Sequence, residues 1–203
     1  LAQILSVTPA FPSQNDTVTI IYDATEGNGA LTGVVPVYAH AGLITNQSTS
    51  PTDWKHAQGN WGTIDASVLM TNLGNNLHKI EYHMPTFYGF GSSVIVQKMA
   101  FVFRNGNGTI VGRDPNGNDI YYDVYPANAG LIAQFLAPET TQLISSGDSL
   151  EFVIAATQKS DFKIYDNGTL VYQDSTKQDN FYLGSTVGGI HTVVLQADYG
   201  TTT

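Results

Sequence analysis

His40, Trp54, His56, Asn60 and Trp61 fall in one segment, residues 37–61, VYAHAGLITNQSTSPTDWKHAQGNW, which holds both tryptophans of the chain. An indole face is costly to leave wet in a polar loop unless it packs on something, and the apolar face of a pyranose ring offers such packing. Imidazole and amide groups donate to and accept from sugar hydroxyls, so these residue types together point to glycan capture. Asp53 and Lys55 beside Trp54 favour an exposed setting. The competing reading has both tryptophans as core residues packing one long loop, since Trp is highly buried on average whatever its role. To position this set, a strand is expected over Val34 to His40, delivering His40 to a turn at Ala41-Gly42.

Other residues invite weaker readings. Tyr88, in Pro85-Thr86-Phe87-Tyr88-Gly89-Phe90-Gly91, is a candidate second platform; with Phe87 and Phe90 beside it, a hydrophobic plug at the end of a sandwich is the alternative. Asp114, Asn116, Asn118 and Asp119, with Asp123, space their oxygens as a calcium loop does, but Tyr125 stands where the twelfth-position Glu would. A turn using Asn and Asp for positive φ explains the same residues. His78 and His83 are an odd number apart on one strand and so face opposite ways, which argues against a paired metal site. A glycosidase needs two carboxyl groups facing each other across about 5–9.5 Å. None of the four glutamates, Glu26, Glu81, Glu139 and Glu151, sits in a loop with a second carboxylate and aromatic walls. Nucleophile-elbow, zinc-helix and phosphate-loop motifs are absent from the sequence.

The whole chain of 203 residues is charge-poor, with 12% Asp, Glu, Lys and Arg, and carries a net charge of −9. Eight basic residues cannot supply the clustered cations that a phosphate backbone or an anionic membrane requires. The sequence has no apolar run near the roughly 20 residues of a membrane span. Without cysteine, disulfide and thiolate chemistry are both excluded. Leu1-Ala2-Gln3 suits the remnant of a signal-peptide cleavage site. The sequons at Asn15, Asn46, Asn107 and Asn167 fit surface turns.

Short runs rich in Val, Ile, Tyr and Phe between Gly, Asn, Asp and Pro clusters are the pattern of an all-β fold with two β-sandwich domains. In the first, strands are expected over Thr17 to Tyr22, Val34 to His40, His78 to His83, Val94 to Arg104 and Ile120 to Val124, with one helical turn within Thr63 to Leu73. The turns at 104–109 and 114–119 frame a hairpin around Ile110 and Val111. Pro126 to Gly130 breaks the pattern, so the boundary is set between 1–127 and 128–203. In the second domain, strands are expected over Leu131 to Leu136, Ser149 to Ala156, Asp161 to Tyr165, Thr169 to Gln173, Asn180 to Leu183 and His191 to Ala197, forming a small immunoglobulin-like sandwich. A further segment is expected beyond Thr203.

The order Val18-Thr19-Ile20-Ile21-Tyr22, Leu31, Val37-Tyr38-Ala39-His40-Ala41-Gly42, Trp54, Met99 to Gly106 and Gly117-Asn118-Asp119-Ile120-Tyr121 resembles the starch-binding modules of carbohydrate-binding families 25, 26 and 53. It covers residues 15–125 and is also similar to domains that precede the catalytic barrel of secreted bacterial α-amylases, followed there by an immunoglobulin-like unit. The resemblance implies that His40 and Trp54 line a sugar site. Its second aromatic platform lies near a late Asn-rich turn; Thr109 to Asp119 contains no Trp, which leaves Trp61 or Tyr88 for that role.

The expected function is therefore non-catalytic binding of starch-like or glycogen-like α-glucan through His40, Trp54, His56, Trp61 and Tyr88, with no cofactor. The resemblance places the chain, as a monomeric module, in the amino-terminal part of an extracellular, amylase-type glycoside hydrolase. A cell-surface adhesion or protein-interaction module is the alternative, and a free-standing hydrolase a third.

Overall fold

A computed structural model describes residues 3–126, 128–138, 141–184 and 188–199. Among the described residues the structure is all β apart from one short helix and one 3-10 turn. Two compact units divide the chain: Leu1–Thr8 with Pro12–Ala127, and Pro9–Phe11 with the chain from Asn128 onward.

The first unit is two antiparallel sheets packed face to face. One sheet runs in the order β1 (Leu5–Thr8), β2 (Thr17–Asp23), β6 (Leu77–His83), β5 (Thr71–Gly74). In the other, β4 (Lys55–Gln58), β3 (Tyr38–Thr45) and β7 (Val96–Arg104) lie side by side. The far edge of β7 carries β8 (Val111–Gly112) and β9 (Ile120–Asp123) in succession. The period-2 pattern builds the core between them: Val18, Ile20 and Tyr22 face Ala39, Ala41, Leu43, Met99, Phe101 and Phe103, all buried. Tyr22 and Phe103 stack across the gap at 4.0 Å between ring centroids. Full burial of each large apolar side chain contributes about 1.5–3 kcal/mol, so this sheet pair is a rigid base for whatever its outer faces carry.

The expected elements are displaced in two instructive places, while the helical turn expected within Thr63 to Leu73 falls there. Val34 to Val37 is not strand, and β3 instead runs from Tyr38 through Gly42 to Thr45, so His40 lies mid-strand. The helical turn is the 3-10 segment Ala66–Val68. The turn 105–110 does close the β7–β8 hairpin, but the turn 113–119 carries the chain from β8 to β9 along one edge of β7, with no β8–β9 pairing.

The second unit is built on one long hairpin, β11 (Ser149–Asp166) and β12 (Thr169–Gly184). Strand β10 (Ala133–Ala137) pairs the first half of β11 and β13 (Val193–Asp198) pairs the second. Strands expected as separate pieces are thus continuous, interrupted by a register shift between Ala155 and Ser160. Thr157 anchors that irregularity, its backbone N–H donating to Ile132 O at 3.0 Å and its hydroxyl to Gly130 O at 3.0 Å. Both halves of β11 turn even-numbered residues inward, and Phe152, Ile154, Phe162 and Ile164 meet in one core with Phe181 of β12.

His78 shares the core face of β6 with Ile80 and Tyr82, is 1% exposed, and its Nδ1 has no partner. Burial lowers its pKa below 6.5, because the charged ring would sit among apolar groups. The sign follows: the folded state prefers the neutral ring, so stability is full above about 6.5 and is lost as pH falls from there through the depressed folded value. The lowered carboxylates Asp53, Asp65 and Asp114 act in a separate, more acidic window, below their ordinary 3.8. We expect the melting temperature of the first unit to fall between pH 7.5 and 5, and His78→Phe to flatten that fall; an unchanged slope in the variant would assign it to another group.

Candidate functional site

Strand β3 carries the site on its solvent side. Tyr38, His40, Gly42 and Ile44 alternate with Ala39, Ala41 and Leu43 and sit opposite Arg104, Val102, Ala100 and Lys98 of β7, with Tyr38 and Ile44 themselves buried. Gly42 is the key to this face, since a Cβ built on it would lie 2.8 Å from Cε3 and 3.2 Å from Cβ of Trp54. The half-buried indole of Trp54 lies directly on the strand because that residue has no side chain. Trp54 Nε1 donates to the Tyr121 hydroxyl in a long contact of 3.4 Å, and Tyr121 donates weakly to Asp119 at 3.5 Å. The carboxylate of Asp119 is held in turn by Arg113.

His40 tiles beside Trp54, with ring centroids 5.7 Å apart and planes inclined by 25°. On its other side the ring meets Trp61 edge-on, at 5.4 Å and 88°. His40 Nδ1 lies 2.6 Å from the Gly59 carbonyl, which can only accept. Nδ1 is therefore the donor in this contact, which leaves Nε2 for any other partner. Trp61 is 47% exposed and lies over Gly108 of the β7–β8 hairpin, whose Cβ would fall 2.9 Å from the indole nitrogen. Tyr121, Trp54, His40 and Trp61 thus form a continuous aromatic row across one sheet face.

The loop carrying Trp54 is tied at its base. Asp53 accepts from the Thr49 backbone at 2.8 Å, from the Thr49 hydroxyl at 2.9 Å and from Lys55 at 2.9 Å. The Thr49 backbone N–H foremost, then Lys55 and the Thr49 hydroxyl, hold its carboxyl down to about 2. Beside this loop is a groove of about 340 Å³ lined by Ile44, Thr49, Pro51, Gln97, Lys98 and Tyr121, continuous with the row through Tyr121.

Two candidates fall elsewhere. Tyr88 is a correction: at 2% exposure it is a core residue, hydroxyl to hydroxyl with Tyr82 at 3.0 Å, and burial pushes its phenol pKa well up. The segment that holds it is the short helix α1 (Met84–Tyr88), which together with Phe87 stacked on Tyr82 at 4.0 Å plugs the sandwich. His56 adopts φ 53° in β4 and packs its ring edge-on to Phe90 at 6.1 Å, away from the row. Asn60 is exposed, and its carbonyl holds the Trp61 loop together by accepting from Thr63 at 3.0 Å.

The Asn- and Asp-rich turn closes on itself, and its carboxylates are engaged. Asp114 accepts from the backbone of Asn116 at 2.8 Å and of Asn118 at 2.6 Å, Asp119 pairs with Arg113, and Asp123 with Lys98 at 2.5 Å. These bonds hold Asp114, Asn116, Asn118 and Asp119 as a self-closed Asn- and Asp-rich turn. Among the described residues no group of three or more His, Asp or Glu could hold a metal ion. Nor is any helix among them long and apolar enough to cross a membrane.

Gly42, Tyr121 and Arg104 belong to this site and were not singled out for it from the sequence. A glycine inside a strand, two residues from His40, was the signal for the first: it marks a close approach. No curated protein matches the chain. A family model described as a domain of unknown function, DUF8578, matches residues 5–111, a stretch that contains His40, Trp54, Trp61 and Arg104 but ends before Tyr121. Over that stretch, more than half of its length, the chain belongs to the DUF8578 family.

Proposed function

We propose that the first unit binds α-glucan on the Trp54–His40–Trp61 row, without catalysis. The inclination of the two indoles carries this reading. Trp54 lies within 25° of the His40 plane while Trp61 stands at 88° to it, so the tryptophans are steeply inclined to one another. A flat β-1,4-linked ribbon presents its sugar faces in parallel planes and suits coplanar rings. An α-1,4-linked chain curves, and successive sugars offer inclined faces that a bent pair of indoles can meet. Nε2 of His40, at the corner, bonds to a sugar hydroxyl there. An open row of this kind gives weak single-site affinity, about 10 μM to 1 mM, because little surface is desolvated. Such a module works by tethering, raising the local concentration of polymer around an attached catalytic domain. In this reading the chain is the glucan-holding part of an extracellular, amylase-type glycoside hydrolase.

A protein-interaction module is the second reading, favoured by a neighbouring apolar groove. Val35 at 61% exposure and Ile64 at 82% border a space of about 540 Å³ completed by Pro36, Gly62 and Asn105. Native gels containing glycogen, amylopectin or hydroxyethylcellulose separate the two. We expect glycogen and amylopectin to retard the chain, hydroxyethylcellulose to leave it unretarded, and soluble maltoheptaose to relieve the retardation. Indifference to all three polymers would favour the protein partner, and release of sugar from maltooligosaccharides would show a hydrolase.

A further inference from the structure

The chain is acidic and has few cations, yet one of them, Arg104, is completely buried. Among the described residues no carboxylate forms a direct ion pair with it, and Asp65 only feels its charge at longer range. An arginine held so without a bonded counter-ion is costly unless its donors are met; here four backbone carbonyls meet the two Nη groups, while Nε–H is buried without a partner. Nη1 donates to Asn105 O at 3.1 Å and Gly106 O at 3.0 Å; Nη2 donates to Asn60 O at 2.8 Å and Thr63 O at 2.9 Å. The guanidinium also lies over the ring of Tyr38, 5.2 Å from its centroid.

The two pairs of carbonyls belong to two different loops. Asn105 and Gly106 are in the β7–β8 hairpin, whose Gly108 supports one face of Trp61. Asn60 and Thr63 flank Trp61 itself. The planar fork of one guanidinium therefore fastens the loop bearing the exposed indole to the loop it rests on, through backbone oxygens. Nothing else described joins the two loops with comparable charge-assisted bonds.

We propose that Arg104 is the positioning residue of the ligand row: it sets the angle between Trp61 and His40, and through it the shape of sugar the face accepts. The identity of the ligand rests on the α-glucan reading above; the clamp itself does not. Lysine cannot replace it, since three N–H groups on one atom do not span two loops.

The experiment compares Arg104→Met, Arg104→Lys, Trp61→Ala and the double variant Arg104→Met/Trp61→Ala by maltoheptaose titration. A parallel arm follows Trp61 as the single tryptophan in a Trp54→Phe background, by near-ultraviolet circular dichroism and acrylamide quenching. We expect either Arg104 substitution to weaken binding about 5- to 30-fold, as Trp61→Ala does, and Arg104→Met to cost less than about twofold more once Trp61 is gone. Equal losses from Arg104→Met with and without Trp61 would overturn the proposal, because a merely structural residue would harm the Trp54 half as well. If no variant binds because the unmodified chain binds no glucan, the α-glucan reading fails, and the quenching arm alone decides the clamp: unchanged quenching of Trp61 in Arg104→Met overturns it. Where an Arg104 variant does not fold, the guanidinium resonances of the unmodified chain decide. Slowly exchanging Nη protons support the clamp, and freely exchanging ones sink it.

Discussion

Trp54→Ala should abolish retardation of the chain in glycogen gels while leaving the fold and melting temperature of the first unit nearly unchanged. The indole lies on the outside of the sheet with one face on Gly42 and a long hydrogen bond to Tyr121, so its loss opens no core cavity. Removing its stacking surface forfeits about 2–3 kcal/mol of binding, a factor of about 30–150. Starting from an affinity of about 10 μM to 1 mM, that factor takes the Kd to between about 0.3 mM and about 150 mM, where retardation in the gel is lost or nearly lost. Gly42→Val should reproduce the effect with Trp54 still present. Its side chain would occupy the space now filled by the indole, 2.8 Å from where its Cβ would stand, and would lift the ring off the strand. Retardation surviving in both variants would remove Trp54 from the site. Retardation lost in Trp54→Ala alone would keep the indole but deny its seat on Gly42 any role.

The residues that carry this argument differ in how far the sequence revealed them. Trp54, His40 and Trp61 stand out by residue type, because an indole in a polar loop needs a reason. Their mutual geometry does not, because it depends on tertiary events: a strand running through Gly42 where local chemistry suggests a turn, and a hairpin loop arriving from residue 108. Tyr88 shows the opposite failure. Glycines on both sides of Phe90 suggest an exposed loop, yet Pro85 early in α1 and Gly89 in the left-handed conformation after it close a single helical turn that drives Tyr88 inward. In the second unit the alternation of apolar residues locates every strand, but the joins over 157–159 and 174–179 are polar and read as turns. They are spanned because β11 and β12 keep pairing on both sides of an irregularity, a property of two strands together that neither segment signals alone.

Tyr22 and Gly112 make the sharpest test of the sandwich that supports the site. The hydroxyl of Tyr22 is buried without a partner, and burial raises its pKa to about 12. A Cβ on Gly112 of β8 would lie 2.2 Å from that oxygen and 2.9 Å from Leu31 Cδ1. Gly112→Ala therefore overpacks the core and should destabilise the first unit by about 1–3 kcal/mol. Tyr22→Phe removes an unsatisfied polar atom while keeping the stack on Phe103, so it should be neutral or stabilising by up to about 1–3 kcal/mol. The two changes meet at one atom. Combined, they should recover a large part of the Gly112→Ala loss, a coupling of about 1 kcal/mol or more in a denaturation cycle. Simple additivity would mean that the Tyr22 hydroxyl does not face β8, and with it would go the inter-sheet register that places β7, and hence Arg104 and Val102, beneath the aromatic row.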